Sequence, residues 1–240
     1  MLLQVDGIII SVVWVHFDVA KNNTTLYEKE KTKIIFEYGD LKEIIANEEN
    51  ASKSFTVVVP VNTHLNYIGN RMQIKEDSIH RLCLEYLHEK MGNELDVNIL
   101  NTVKVKKQRI KENNVGEIGD WFYVTPEDMG IEGKVRFLFL ESSELEERNG
   151  KIVIKELTKE QYLTSIQSLL EAISYVSDQK EKVYLPLIGA GNGNVAKSKD
   201  IMQVMRAMLY FNRQKLRQEI HVIINQENRK DVPIYQLDRM

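Results

Sequence analysis

The sequence predicts an α/β fold. A mixed, largely parallel central sheet carries helices on both faces, giving three α/β/α layers, and an antiparallel hairpin extends it at the N-terminal end. Three observations carry this expectation. Short apolar strands alternate with helical patterns through the second half of the chain. Phe55 to Val61 (FTVVVPV) forms a strongly apolar strand with Pro60 near its C-terminal end. The N-terminal part holds two strand-like runs separated by a polar stretch.

Ile8 to Asp18 and Lys33 to Tyr38 are the two runs, and Lys21 to Thr25 (KNNTT) between them is turn-like, so a hairpin is expected. Gly39-Asp40 ends the second strand, Leu41 to Ile45 starts a short helix, and Asn47 to Ser54 is a polar loop. Thr63 to Gln73 is irregular. Asp77 or Ser78 caps a helix with Ile79, Leu82, Cys83, Tyr86 and Leu87 at helical spacing. Asn93 to Asn114 is read as helical, its run of Lys104, Lys106, Lys107, Arg109 and Lys111 forming a solvated face without interleaved aromatics.

Trp121 to Val124 and Lys134 to Glu141 read as strands, and Glu144 to Gly150 as a charged turn. Thr158-Lys-Glu-Gln161 has the capping-box pattern. It opens a helix with Leu163, Ile166, Leu169, Leu170, Ile173 and Val176 on one face. Ser198 caps the next helix, which turns Ile201, Val204, Met205, Met208 and Leu209 inward as core filler. Glu219 to Asn225 is the last strand.

With 240 residues, scarce proline and no long Gly/Ser linker, a single domain over residues 1–240 is expected, with 1–32 as the strand extension. A net charge of −3 provides no global basic field for nucleic acid. The single cysteine, Cys83, excludes an internal disulfide framework and fits a reducing, cytoplasmic compartment. Ile8 to Phe17 is apolar but only about half the roughly 20 residues a membrane span needs, and it lacks a basic flank and a cleavage site. No membrane segment is expected in this chain.

The chemistry concentrates where Val183-Tyr-Leu-Pro-Leu-Ile188 runs into Gly189, Gly191 and Gly193. A strand fixes the loop, glycines let the backbone approach a ligand, and the helix that follows directs free N–H groups and its positive dipole end at the same point. That order builds a cradle for an anion, with a nucleotide the natural candidate. One glycine would suffice for a plain strand-to-helix connection; three, with Asn192 and Asn194 among them, favour a ligand. A dinucleotide fingerprint needs other spacing and an earlier position in the chain. A P-loop departs at Ala196, where GNGNVAKS lacks the second glycine. In a parallel sheet, ligands sit beyond the C-terminal ends of the strands, where Asp40, Asn62 and the Gly189 loop all fall.

Phe36-Glu-Tyr-Gly-Asp40, Val57-Val-Val-Pro-Val-Asn62 and Tyr184-Leu-Pro-Leu-Ile-Gly-Ala-Gly191 together resemble the macro domain, a module that binds ADP-ribose and related nucleotides. The resemblance runs from about Lys33 to the C-terminus. More narrowly, Pro60-Val-Asn62, Ser78-Ile-His80 and Pro186-Leu-Ile-Gly-Ala-Gly191 resemble the divergent macro domains of bacterial Thoeris-type antiphage systems. There a TIR enzyme is thought to make an ADP-ribose-derived signal that the macro domain senses.

The resemblance implies a role for each matched position. Asp40 would accept from the adenine amine, although a turn or cap role also suits it. Asn62, with Thr63, would meet the distal ribose, although an Asn at a strand end also satisfies loop backbone. Gly189, Ala190, Gly191, Asn192, Gly193 and Asn194 would wrap the diphosphate. Ser78, Ile79 and His80 would bring the N–H groups of a helix start to a phosphate; a lone histidine such as His80 or His64 is otherwise a structural or surface residue. The resemblance implies no cofactor and no metal, ADP-ribose or a derivative being the ligand, and a TIR-type enzyme as a partner.

Two departures bear on catalysis. Where macro domains carry a glycine triplet in the first ligand loop, Thr63 to His80 has only Gly69, and Val59 replaces the first Asn of the Asn-x-x-Asn pattern of hydrolytic relatives. The expectation is therefore binding without catalysis; the alternative is an ADP-ribosyl hydrolase that uses Asn62 and the loop after it. Asn225-Gln226 also stands where an aromatic often stacks on adenine.

Overall fold

A computed structural model describes residues 22–48, 53–63, 78–91, 116–155, 157–177, 181–190 and 198–234. The chain order is β1 (Asn23–Lys29), β2 (Thr32–Tyr38), α1 (Leu41–Glu48), β3 (Phe55–Asn62), α2 (Ile79–Met91), β4 (Trp121–Val124), α3 (Pro126–Met129), β5 (Val135–Arg148), β6 (Lys151–Lys155), α4 (Lys159–Val176), β7 (Lys182–Pro186), α5 (Ser198–Asn212) and β8 (Glu219–Ile224), closed by a 3₁₀ turn at Gln226–Lys230. The sheet runs β1-β2-β8-β7-β3-β5-β4, with β6 paired to β5. β2, β8, β7, β3 and β5 are mutually parallel. β1, β4 and β6 join antiparallel. The expected mixed, mostly parallel sheet between helical layers is the fold observed.

Alternation along the strands divides the interior. Val58, Leu138, Leu140, Val183, Leu185, Ile220 and Val222 face one core, which α4 and α5 close with Ile166, Leu169, Leu170, Ile173, Ile201, Met205 and Leu209. Val57, Val59, Val61, Phe137, Phe139 and Tyr184 face the other, closed by Leu41 and Ile45 of α1 and by Cys83, Leu84 and Leu87 of α2. β3 is apolar on both faces because it is covered on both, which is why its sequence shows no polar alternation. Among the described residues no helix is long and apolar enough to cross a membrane.

The structure corrects the expected elements in four places. The hairpin partner of β2 is Asn23–Lys29, so Thr24 and Thr25, read as turn, lie in a strand, and the turn falls at Glu30, whose φ is 57°. Polar residues suit β1 because, among the described residues, it is the outermost strand of the sheet. The stretch from Glu144 is likewise no turn: β5 continues to Arg148 and pairs with β6 across Asn149 (φ 54°) and Gly150 (φ 72°). That Asn-Gly pair with both φ positive is the type I′ hairpin signal. α1 extends through Asn47 to Glu48, and Leu163, expected inward on α4, is 43% exposed. The strand expected over 8–18 and the helix expected over 93–114 lie outside the described residues, as does most of the irregular stretch expected over 63–73.

Candidate functional site

Because β2, β7 and β3 are parallel, their C-terminal ends share one edge of the sheet. Gly39-Asp40 follows β2, Asn62-Thr63 ends β3, and Leu187 to Ala190 follows β7. β8 and β7 stand between β2 and β3, so Asp40 and Asn62 flank the glycine turn. Three strand spacings separate β2 from β3, about 14 Å.

Asp40 is exposed and caps α1: its Oδ1 accepts the Lys42 N–H at 2.8 Å, and its carbonyl accepts from Ile44 at 3.0 Å. Gly39 N–H bonds the Ile224 carbonyl at 3.0 Å, which ties this corner to the end of β8. Beyond β8, the Asn225 side chain accepts the Glu227 N–H and starts the 3₁₀ turn. Arg229 of that turn lies over the Tyr38 ring at 4.9 Å, while the Tyr38 hydroxyl donates to the Val232 carbonyl at 2.7 Å.

Asn62 sits at a register shift between β3 and β5, half-buried opposite Ser143. Thr63 is buried at 2% exposure; its N–H donates to the Ser143 carbonyl at 3.0 Å and its carbonyl accepts from Gly116 at 2.9 Å. The Gly116–Asp120 loop thus crosses the end of β3 and the middle of β5, and the Gly119 N–H bonds the Glu141 carbonyl at 2.8 Å. A Cβ at position 116 would lie 1.7 Å from the Glu141 carboxyl, itself fully buried, so a side chain there would have to displace that carboxyl. Sequence reasoning did not single out this loop or Glu141, although Gly116-Glu-Ile-Gly-Asp120 before a strand carries a turn signal.

The start of α2 is capped as expected. Ser78 Oγ accepts the Arg81 N–H at 3.1 Å, and the Ser78 carbonyl accepts from Leu82 at 3.0 Å. Ile79 packs against the core behind it. His80 is buried at 5% exposure, with its ring edge-on to Phe139 at 6.3 Å between centroids. Three residues further along, burial pushes the Cys83 thiol well above its ordinary range, so it stays protonated and apolar in character.

The glycine turn is anchored from below. The Ala190 N–H closes onto the Leu187 carbonyl at 3.1 Å, and Gly189 has φ 85°, the value a type II turn requires at its third residue. The Tyr162 hydroxyl, in the first turn of α4, donates to the Ile188 carbonyl at 3.0 Å inside the core. Burial raises this phenol well above its ordinary range, so it is a fixed donor. Tyr162 had no signal in the sequence beyond an aromatic after a capping box. Gly191, Asn192, Gly193 and Asn194 lie outside the described residues.

A three-layer domain with this sheet order and a glycine turn at the mouth of its parallel strands is a macrodomain. Solved structures of an Oceanobacillus iheyensis macrodomain share the fold. One, a mutant with ADPR, is 12% identical with a TM-score of 0.56, over 89% of this chain and 95% of that one. Another, with ADP, is 10% identical with a TM-score of 0.54, over 90% and 93%. No curated protein matches the chain. The family described as Thoeris protein ThsA, Macro domain, matches residues 34–225. The chain belongs to that family.

Proposed function

We propose that this protein binds ADP-ribose or an ADP-ribose-derived nucleotide and acts as a sensor, in a reducing cytoplasm, for a signal made by a TIR-type enzyme in antiphage defence. The observation that carries the reading is the placement of Asp40, the Gly189 turn and Asn62 along one edge of the sheet. In this reading the exposed Asp40 carboxylate meets the adenine amine, the turn and the glycines after it hold the diphosphate, and Asn62 meets the distal ribose. The span of about 14 Å between the outer strands suits two sugars joined by a diphosphate. Family membership and the ADPR and ADP named for the structural relatives support the same ligand class.

Holding rather than cutting is favoured by the described rim. Thr63, which begins the loop that would carry a hydrolytic water, is buried and bonded on both sides of its backbone. Titration calorimetry with ADP-ribose is expected to give saturable binding at micromolar concentration or tighter, abolished in Gly191→Glu. No heat with ADP-ribose or its conjugates overturns the reading. Release of ADP-ribose from a modified protein, lost in Asn62→Ala, would replace the sensor with a hydrolase.

A further inference from the structure

We propose that Tyr162 is a positioning residue for the diphosphate site, its hydroxyl locking the Ile188–Gly189 peptide so that the Gly189 N–H faces the ligand. The proposal rests on the reading that this loop holds an ADP-ribosyl diphosphate.

The geometry runs from α4 to the loop. The capping box fixes the first turn of α4: Thr158 Oγ1 accepts the Gln161 N–H at 3.2 Å, and Gln161 Oε1 accepts the Thr158 N–H at 3.0 Å. The next residue is Tyr162, 4% exposed, packed in the core formed by α4, α5 and the sheet. Its hydroxyl reaches across to the Ile188 carbonyl at 3.0 Å. A trans peptide points its carbonyl and the following N–H in opposite directions. Holding the Ile188 oxygen toward the core therefore turns the Gly189 N–H away from it. Among the described residues no acceptor takes that N–H.

The bond matters because of the turn it sits in. Residues 187–190 form a four-residue turn with Ile188 and Gly189 central. Types I and II of such turns differ by a flip of the central peptide, and the flip reverses where its N–H points. Gly189, at φ 85°, permits the type II form, and the Tyr162 hydroxyl selects it. Without the hydroxyl, the Ile188 oxygen loses a buried donor and gains by flipping outward. The first N–H of the cradle then leaves the phosphate.

The experiment uses the full chain, ¹⁵N-labelled, with inorganic pyrophosphate, ADP-ribose and adenosine as probes. In the parent, the Gly189 amide resonance is expected to move on titration with pyrophosphate. Tyr162→Phe is expected to bind pyrophosphate and ADP-ribose about tenfold more weakly. Its affinity for adenosine, which has no phosphate, should change by less than about twofold. Gly189→Ala, which disfavours positive φ, should lose a similar factor, and the double variant no more than either single, because both act on one flip. Parental affinity for ADP-ribose in Tyr162→Phe overturns the positioning role and leaves the binding reading standing. So does an equal loss for adenosine and ADP-ribose together with a lower melting temperature, which marks a structural role only. A parent that binds neither ADP-ribose nor pyrophosphate overturns both.

Discussion

At the residue scale, polar groups inside this fold are held by partners from distant parts of the chain. The Glu48 carboxylate, at the end of α1, accepts from Tyr184 Oη at 2.9 Å and from Lys182 Nζ at 2.5 Å, both on β7. Burial acts to raise this carboxyl, but the two hydrogen bonds and the Lys182 and His221 charges outweigh it and leave Glu48 below its usual range. A carboxyl depressed in the folded state stabilises above its unfolded value, and that stability is lost as pH falls through the folded one. Glu48→Gln is therefore expected to lower stability near neutral pH by less than about 1 kcal/mol, the pair being part-exposed. The gap between parent and variant should close as pH falls through and below the ordinary carboxylate range, as read by urea unfolding at neutral and acid pH. A gap that persists at the acid end removes the ion pair as its cause. None of this was visible in the sequence, where Glu48 and Tyr184 are separated by over half the chain.

At the element scale, the capped starts of α2 and α4 were legible and the two hairpins were not. Caps are local: a hydroxyl and an amide three residues away decide them, so the Thr158 box and the Ser78 cap stand where the spacing puts them. Thr158→Ala is expected to cost about 1 kcal/mol in chemical denaturation. Because the cap also places Tyr162, it should weaken pyrophosphate binding as well; unchanged affinity would show that α4 holds Tyr162 without it. Polar hairpin strands depend on partners. Glu144 to Glu147 look like a solvated turn until β6 pairs with them and Lys155 meets the Glu144 carboxylate. Asn23 to Thr25 of β1 likewise read as a polar turn until β2 supplies their ladder, with a bulge between Thr25 and Tyr27 absorbing the register.

At the scale of the whole molecule, one sheet carries two cores. Leu169 on the α4 side and Phe139 on the α2 side are each fully buried, in the two separate cores. Phe139 stacks on Phe122 at 4.7 Å between centroids. Leu169→Ala is expected to cost about 2–5 kcal/mol and Phe139→Ala about 3–5 kcal/mol. If the chain is one cooperative domain, near-UV circular dichroism and far-UV ellipticity follow a single urea transition in each variant, and the two costs add. Two transitions, with one variant shifting only one of them, would divide the chain into separate units.

Much of the candidate site could be written down from local chemistry. Gly39-Asp40, Val61-Asn62 and Ile188-Gly189 each mark a strand giving way to a loop, because the end of an apolar run and a turn residue are properties of neighbours in sequence. Parallel pairing then follows from the alternation of strands and helices, and with it a shared edge for those three loops. The order β2-β8-β7-β3 could not be read the same way, since it depends on which faces bury against each other across long separations. The same is true of Gly116 pressed against the Glu141 carboxyl and of Tyr162 reaching the Ile188 carbonyl. Those contacts join residues about 25 apart, and no spacing rule connects them until the sheet has assembled and closed its core.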